Sequence, residues 1–142
     1  METRTTLRQR IAICFTAGTM GGLIVVLFSQ VLYYTGIGPL MGAKSAASLS
    51  PPELYRPLIW GGIWGIPFGF LLRLYWDRLF TFGFFYFLAP VVALYLIFAP
   101  MRGIGFFGMQ SGALFSLYLL IVNIPYGIVT AAAARWLIGP KI

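Results

Sequence analysis

The sequence predicts an all-α membrane protein with four transmembrane helices. Of its 142 residues, 60% are hydrophobic and only 9% are charged, whereas about a quarter of the residues of a soluble domain are charged. The apolar residues also form four long runs, and a helix needs about 20 such residues to cross a ~30 Å hydrocarbon layer. We therefore exclude a soluble domain and expect one integral-membrane domain over residues 1–142.

The four runs place the transmembrane helices at about residues 11–34, 58–75, 79–99 and 106–138. Ser50-Pro51-Pro52-Glu53 has the pattern of a capping box with proline in the first turn, which predicts a short interfacial helix at about residues 51–56. We expect Pro67 to kink the second helix. The fourth run exceeds the length of one perpendicular crossing, so we expect it to be tilted or to break near Pro125.

The basic residues indicate the orientation in the membrane. The net charge of +7 would favour nucleic acid as the partner of a soluble chain, but here the basic residues separate apolar runs, so we expect lipid contacts and no nucleic acid. Seven basic residues fall on one predicted side and three on the other, and the positive-inside rule then places both termini in the cytoplasm of a bacterial inner membrane. The sequence assigns lipid headgroup contacts to Arg8, Arg10, Arg73, Arg78 and Arg135.

The composition excludes most catalytic and metal chemistry. The chain has no histidine, a single cysteine and three acidic residues, whereas metal sites and acid–base pairs are built from clusters of these residue types. We therefore expect no catalytic residues, no metal site and no enzyme activity.

Glycines recur at intervals of four residues on three of the predicted helices. Such spacing removes the side chains from one helix face and lets another helix approach closely. We interpret these glycines as helix-packing residues, either within one four-helix bundle or at an interface with another subunit. They are Gly18, Gly22, Gly61, Gly65, Gly69, Gly108 and Gly112.

Two further patterns are candidate sites. Trp60, Trp64 and Phe68 form an aromatic stripe at helical spacing, which either contacts a bound lipid, quinone or carotenoid or is ordinary core or a lipid-facing belt. Gln30 and Asn123 are neutral polar residues within predicted helices, and such residues often mark a ligand site or a transport path. The alternative for Asn123 is a structural bond to a carbonyl freed by Pro125 or to another helix.

A short motif occurs twice, as Ile66-Pro67-Phe68-Gly69 and as Ile124-Pro125-Tyr126-Gly127. Each copy lies in the second helix of a predicted hairpin and is followed by an arginine. The match indicates either two parallel helical-hairpin repeats or a chance similarity of four residues.

The glycine-tryptophan segment also carries a family resemblance. With Trp60-Gly61-Gly62-Ile63-Trp64-Gly65, and more loosely with Ala17-Gly18-Thr19-Met20-Gly21-Gly22 and Pro125-Tyr126-Gly127, the chain resembles the small four-helix bacterial inner-membrane proteins of the YagU-like kind. The resemblance implies a four-helix fold and an inner-membrane location. It implies no particular activity.

Two functions are consistent with these patterns. The first is a non-catalytic accessory or structural subunit of a larger bacterial membrane complex, with an energy-converting complex, respiratory or photosynthetic, as the expected host. Its partners would be membrane lipids and larger membrane-protein subunits. The alternative is a small homo-oligomeric transporter or channel whose neutral polar residues line the path. Solute flux in liposomes would distinguish the two.

Overall fold

The computed structural model describes residues 4–142, and in them the chain is all-helical, with 76% helix and no strand. The α-helices are α1 (Leu7–Tyr34), α2 (Ile37–Leu40), α3 (Tyr55–Leu71), α4 (Leu79–Tyr86), α5 (Leu88–Ala93), α6 (Ala99–Met101) and α7 (Ala113–Ile138). A π-helical turn, Leu94–Phe98, joins α5 to α6, and 3-10 turns occupy Trp76–Arg78 and Phe106–Ser111.

Within the described residues, three segments are long and apolar enough to cross a membrane, namely Leu7–Tyr34, Trp76–Met101 and Ala113–Ile138. The all-α fold is therefore confirmed, and three segments able to cross a membrane are found where four were predicted. Helix α3 has 17 residues and is therefore about 26 Å long at a rise of about 1.5 Å per residue. It is slightly shorter than the ~30 Å hydrocarbon layer.

Successive membrane segments run in opposite directions. Both chain ends therefore lie at one end of the bundle, and the longer loops lie at the other. A shallow depression lined by Arg4, Trp76, Arg135 and Lys141 brings together the start of the chain, the break before α4 and the chain end. At the opposite end, residues 42–47 line a second depression with Gln110 and Ser111. We call these the terminal end and the loop end.

Helix α1 lies between α3 and α7, and α4 packs against α7. Aromatic side chains connect α3 to α4 and close the ring, with the Phe68 and Phe82 rings stacked at 5.1 Å between centroids. The centre is fully buried and includes side chains from α1, α3 and α7, such as Cys14, Phe68 and Ala131.

The beginning of α1 is fixed by a capping box that the sequence analysis did not use. Thr6 Oγ1 accepts a hydrogen bond from the Gln9 backbone N–H at 3.3 Å, and the Thr6 N–H donates to Gln9 Oε1 at 2.8 Å. These bonds satisfy backbone donors at the helix start. The helix therefore begins at Leu7, four residues before the expected position.

The expected capping box before α3 is not formed. Residues 51–54 are turns instead of an interfacial helix, α3 begins at Tyr55, and Leu54 at its N-cap makes no side-chain hydrogen bond. The Ser50 backbone N–H donates to the Ser48 hydroxyl, so the serine pair organises a local turn. At its other end α3 stops at Leu71, and residues 72–75 form turns.

The third and fourth runs are less regular than the sequence predicts. Pro90 lacks the N–H that would bond to the Tyr86 carbonyl, and α4 ends at Tyr86. The expected helix 106–138 is corrected to a 3-10 turn followed by α7, because Gly108 and Gly112 have φ angles of +69° and +108°. Glycine adopts such angles at no steric cost. The chain thus breaks at Gly112, whereas Pro125 lies inside α7.

Candidate functional site

A cavity of about 210 Å³ opens between α1, α3, the segment Leu88–Met101 and α7. Its lining is mostly apolar, with two arginines, one amide and one phenol. Among residues 4–142, neither a carboxylate nor a thiol contributes to the lining. The lining residues are Gly22, Val25, Arg56, Pro57, Trp60, Gly61, Trp64, Pro90, Leu94, Phe98, Arg102, Asn123 and Tyr126.

The α1–α3 side of the cavity is glycine backbone. A Cβ added to Gly61 would lie 2.9 Å from the Gly22 Cα, and a Cβ on Gly22 would collide with the Pro57 carbonyl. Real Cβ atoms do not approach backbone this closely. The two helices therefore contact through their main chains, as the four-residue spacing indicated.

The same contact continues towards the terminal end. Added Cβ atoms on Gly18 and Gly65 would collide with the carbonyls of Gly61 and Cys14, and one on Gly69 would lie 3.1 Å from the Arg10 carbonyl. The structure thus places five of the predicted glycines in one interface inside the chain: Gly18, Gly22, Gly61, Gly65 and Gly69.

The aromatic stripe of α3 is divided between two environments. Trp60 and Trp64 line the cavity, and the Trp60 ring meets Phe98 edge-on, with ring centroids 5.0 Å apart. Phe68 is fully buried and packs against Phe82 and Tyr86. The structure therefore makes Phe68 a core residue and brings only the two tryptophans to the cavity.

The opposite wall contains the π-helical turn. Leu94 and Phe98 bound this turn, and both line the cavity together with Pro90. A π turn holds one residue more than an α-helical turn, and such turns occur frequently at functional sites. The irregular wall was not predicted, because residues 91–99, which contain the π turn, have no glycine, proline or charged residue to mark it.

Two polar side chains of α7 reach the cavity. The Tyr126 hydroxyl donates to the Gly61 carbonyl at 2.6 Å, and Asn123 Nδ2 donates to the Leu119 carbonyl at 2.7 Å. The carbonyl that Pro125 deprives of its donor belongs to Ile121, so Asn123 bonds to a different carbonyl. The structure brings Asn123 to the tryptophans, a grouping that no spacing along the chain predicted.

Gln30 does not line this cavity, although it also lies towards the loop end. Its Nε2 donates to the Ala47 carbonyl at 2.5 Å, and the Ala47 N–H donates to the Ser29 hydroxyl at 2.9 Å. These two bonds fasten the 35–54 loop to α1. Gln30 is therefore a structural contact of this loop.

The remaining predicted glycines, Gly108 and Gly112, are turn residues and not helix-packing residues. The second close glycine contact instead joins α4 to α7, where a Cβ on Gly83 would lie 2.7 Å from the Gly127 carbonyl. This pair was not predicted from the sequence. Gly127 stood in the repeated motif, but Gly83 is a single glycine among phenylalanines with no spacing signal.

Most of the predicted headgroup arginines lie at the terminal end. Arg8, Arg73 and Arg78 are exposed, and the Arg135 guanidinium lies over the Trp76 ring at 4.7 Å. Arg10 differs, because it is only 9% exposed and its Nε has no hydrogen-bond partner among the residues that the structure describes. Its position on the α1 face that packs against α3 removes it from the lipid surface, which corrects its assignment as a headgroup contact.

Comparison of the chain with protein-family models, with curated proteins and with solved structures found no match. The resemblance to YagU-like proteins therefore stays a prediction. What the site can do follows from its chemistry alone. It offers an apolar slot, two cations, and the Tyr126 hydroxyl and Asn123 amide, each of which donates to a backbone carbonyl.

Proposed function

We propose that the chain is a non-catalytic accessory subunit of a larger bacterial membrane complex, with a respiratory or photosynthetic complex as the host. Its glycine-rich faces hold the bundle together, and its aromatic faces receive the larger subunits. One observation carries the proposal. Neutral polar side chains of α1, the Trp76–Met101 segment and α7, among them Thr16, Gln30, Tyr86 and Asn123, donate hydrogen bonds to backbone carbonyls of the same chain.

These bonds occur within and between helices. Thr16, Thr19 and Thr130 each donate to the carbonyl four residues earlier. The Tyr86 hydroxyl donates to the Trp64 carbonyl at 2.5 Å, and the Tyr95 hydroxyl to the Ser116 carbonyl at 2.6 Å. An unsatisfied polar group in hydrocarbon costs several kcal/mol. A transport path needs polar groups turned towards water, whereas these groups stabilise the bundle, which favours the structural role.

The broad face of the Trp76–Met101 segment is the surface we assign to the larger subunits. It is almost wholly apolar, and its large side chains are 41% to 59% exposed: Phe80, Phe84, Phe85, Leu88, Val92 and Leu96. The glycine contacts of α1, α3, α4 and α7 lie inside the chain. The partner surface is therefore aromatic and aliphatic instead of glycine-rich.

The proposed topology has four crossings, with both termini in the cytoplasm. Its support is the shared terminal end of the bundle together with the seven-to-three distribution of basic residues. Helix α3 completes the fourth crossing despite its length, with Arg56 and Arg73 near its two ends. Reporter fusions after residues 45, 77, 103 and 142 test this. An active periplasmic phosphatase fused after residue 142 would overturn it.

Affinity purification in mild detergent, followed by mass spectrometry of the recovered proteins, tests the function. We expect larger subunits in fixed stoichiometry, and we expect the triple variant Phe84→Ala, Phe85→Ala and Val92→Ala to lose them while its melting temperature stays near that of the parent. The control variant changes Leu23, Leu27 and Val31 to alanine on an equally exposed face of α1, and it should keep them.

Liposome reconstitution tests the alternative, a small homo-oligomeric transporter or channel. The accessory subunit alone should give no solute flux. Saturable flux that is abolished by Asn123→Leu would contradict our proposal and favour the transporter, because Asn123 is the neutral amide beside the cavity.

A further inference from the structure

We propose that the cavity beside Trp60 and Trp64 is a binding site for one anionic phospholipid, with the phosphate between Arg56 and Arg102 and an acyl chain along the tryptophans. This site is independent of the proposed accessory role. It lies at the loop end, away from the arginines that the sequence assigned to headgroups.

The charge of the lining specifies an anion. Arg56 and Arg102 both line the cavity, both are exposed, and none of the lining residues in the described part of the chain is a carboxylate that could neutralise them. Guanidinium groups bind phosphate with two parallel hydrogen bonds. Arg56 lies in the first turn of α3 and Arg102 directly follows α6, so both stand at the ends of membrane segments, at the depth of lipid headgroups.

The shape of the lining fits an acyl chain that extends from the phosphate into the membrane. Arg56, Trp60 and Trp64 follow one another at intervals of four residues on α3, so the wall extends about 12 Å along the helix axis. Phe98, Leu94 and Pro90 descend from Arg102 on the other wall. The slot is thus charged at the loop end and apolar below it, as an amphiphile requires.

The volume and depth of the slot suit part of an acyl chain. An apolar cavity of about 150 Å³ admits a benzene ring, and this one measures about 210 Å³. The glycine backbone of Gly22 and Gly61 provides a flat side, and the Tyr126 hydroxyl is already bonded to the Gly61 carbonyl. No free hydrogen-bond donor of Tyr126 therefore remains for the carbonyl of a quinone.

Tryptophan fluorescence with brominated lipids measures occupancy at this position, because bromine on an acyl chain quenches an indole in contact with it. The chain has four tryptophans. The variant Trp76→Phe/Trp136→Phe retains only the two that line the cavity. The matched control, Trp60→Phe/Trp64→Phe, retains only the two at the terminal end.

The full chain would be reconstituted in phosphatidylcholine vesicles and titrated with brominated phosphatidylglycerol or brominated phosphatidylcholine. We expect half-maximal quenching of Trp60 and Trp64 at a roughly tenfold lower mole fraction of the anionic lipid, the ratio that corresponds to about 1.4 kcal/mol. The preference should disappear in Arg56→Gln/Arg102→Gln and persist in Arg73→Gln/Arg78→Gln, which removes the same charge at the other end.

Three outcomes would overturn the proposal. The first is equal quenching by the two brominated lipids. The second is an undiminished preference in Arg56→Gln/Arg102→Gln, provided that its melting temperature matches that of the parent. The third is displacement of the brominated lipid by inorganic phosphate or by ubiquinone as effectively as by unlabelled phosphatidylglycerol, which would assign the site to a free anion or a neutral ring.

Discussion

Helix α3 has two faces that pack in opposite ways. Its glycine face lies against α1, where added Cβ atoms on Gly18 and Gly65 would collide with backbone carbonyls. Its aromatic face lies against α4, where Phe68 stacks on Phe82 and meets the edge of Tyr86 at 4.9 Å. The first interface depends on the absence of side chains and the second on their presence. Backbone cannot yield without moving a helix, whereas aromatic rings can repack, so the two faces should tolerate substitution very differently.

The largest effect is expected for Gly65→Leu on the glycine face. The new side chain would have to displace the Cys14 carbonyl of α1, and we expect a loss of about 3 kcal/mol, at the upper end of the usual cost of overpacking. Thermal unfolding in detergent measures the loss. The control, Ile59→Leu, changes an exposed side chain of the same helix and should melt with the parent. A Gly65→Leu protein that melts with the parent would mean that α3 does not pack on α1 in this way.

A smaller effect is expected for Phe82→Leu on the aromatic face. Phe82 stacks between Phe68 and Tyr75, with ring centroids 5.1 Å and 4.4 Å away. Leucine retains most of the contact and loses the ring stacking, which is worth about 1 kcal/mol. The same melting assay checks this value. A loss as large as that of Gly65→Leu would show that the aromatic face is no more tolerant than the glycine face.

The smallest effect is expected for Tyr86→Phe, which keeps the α4 ring packed against the aromatic face of α3 and removes its hydroxyl. The lost bond is the one to the Trp64 carbonyl, and interhelical hydrogen bonds in membrane proteins contribute about 0.6 kcal/mol on average. Tyr55→Phe, at an exposed tyrosine of α3, is the matched control. If Tyr86→Phe destabilises more than Phe82→Leu, the hydroxyl and not the ring stacking holds α4 against α3.

The difference between the faces also explains what could be predicted from the sequence. Four-residue glycine spacing is a local signal, so close packing at Gly18, Gly22 and Gly61 was predictable, whereas the pairing of α1 with α3 was not. The same spacing misled at Gly108 and Gly112, because glycines four apart occur in a turn with positive φ as well as on a helix face. Sequence alone does not distinguish these two uses of glycine.

The cavity could not be predicted, because its members come from separate segments. Arg56, Arg102 and Asn123 share no spacing along the chain, and they meet only because α3, the Trp76–Met101 segment and α7 surround one space. The π turn that shapes one wall lies in an uninterrupted apolar run. Long-range packing determines such a site, whereas composition and helical periodicity determine only the presence of the segments.

The two tyrosine bonds to α3 have a consequence for the order in which the protein assembles during synthesis. The glycine contact of α1 with α3 involves no residue beyond Gly69, so this pair has its packing surface before α4 and α7 are synthesised. The carbonyls of Gly61 and Trp64, however, receive their second donors from Tyr126 and Tyr86. The last of these bonds awaits the insertion of α7. The segments synthesised later then pack against the α1–α3 pair, and their tyrosine hydroxyls determine the register of that packing.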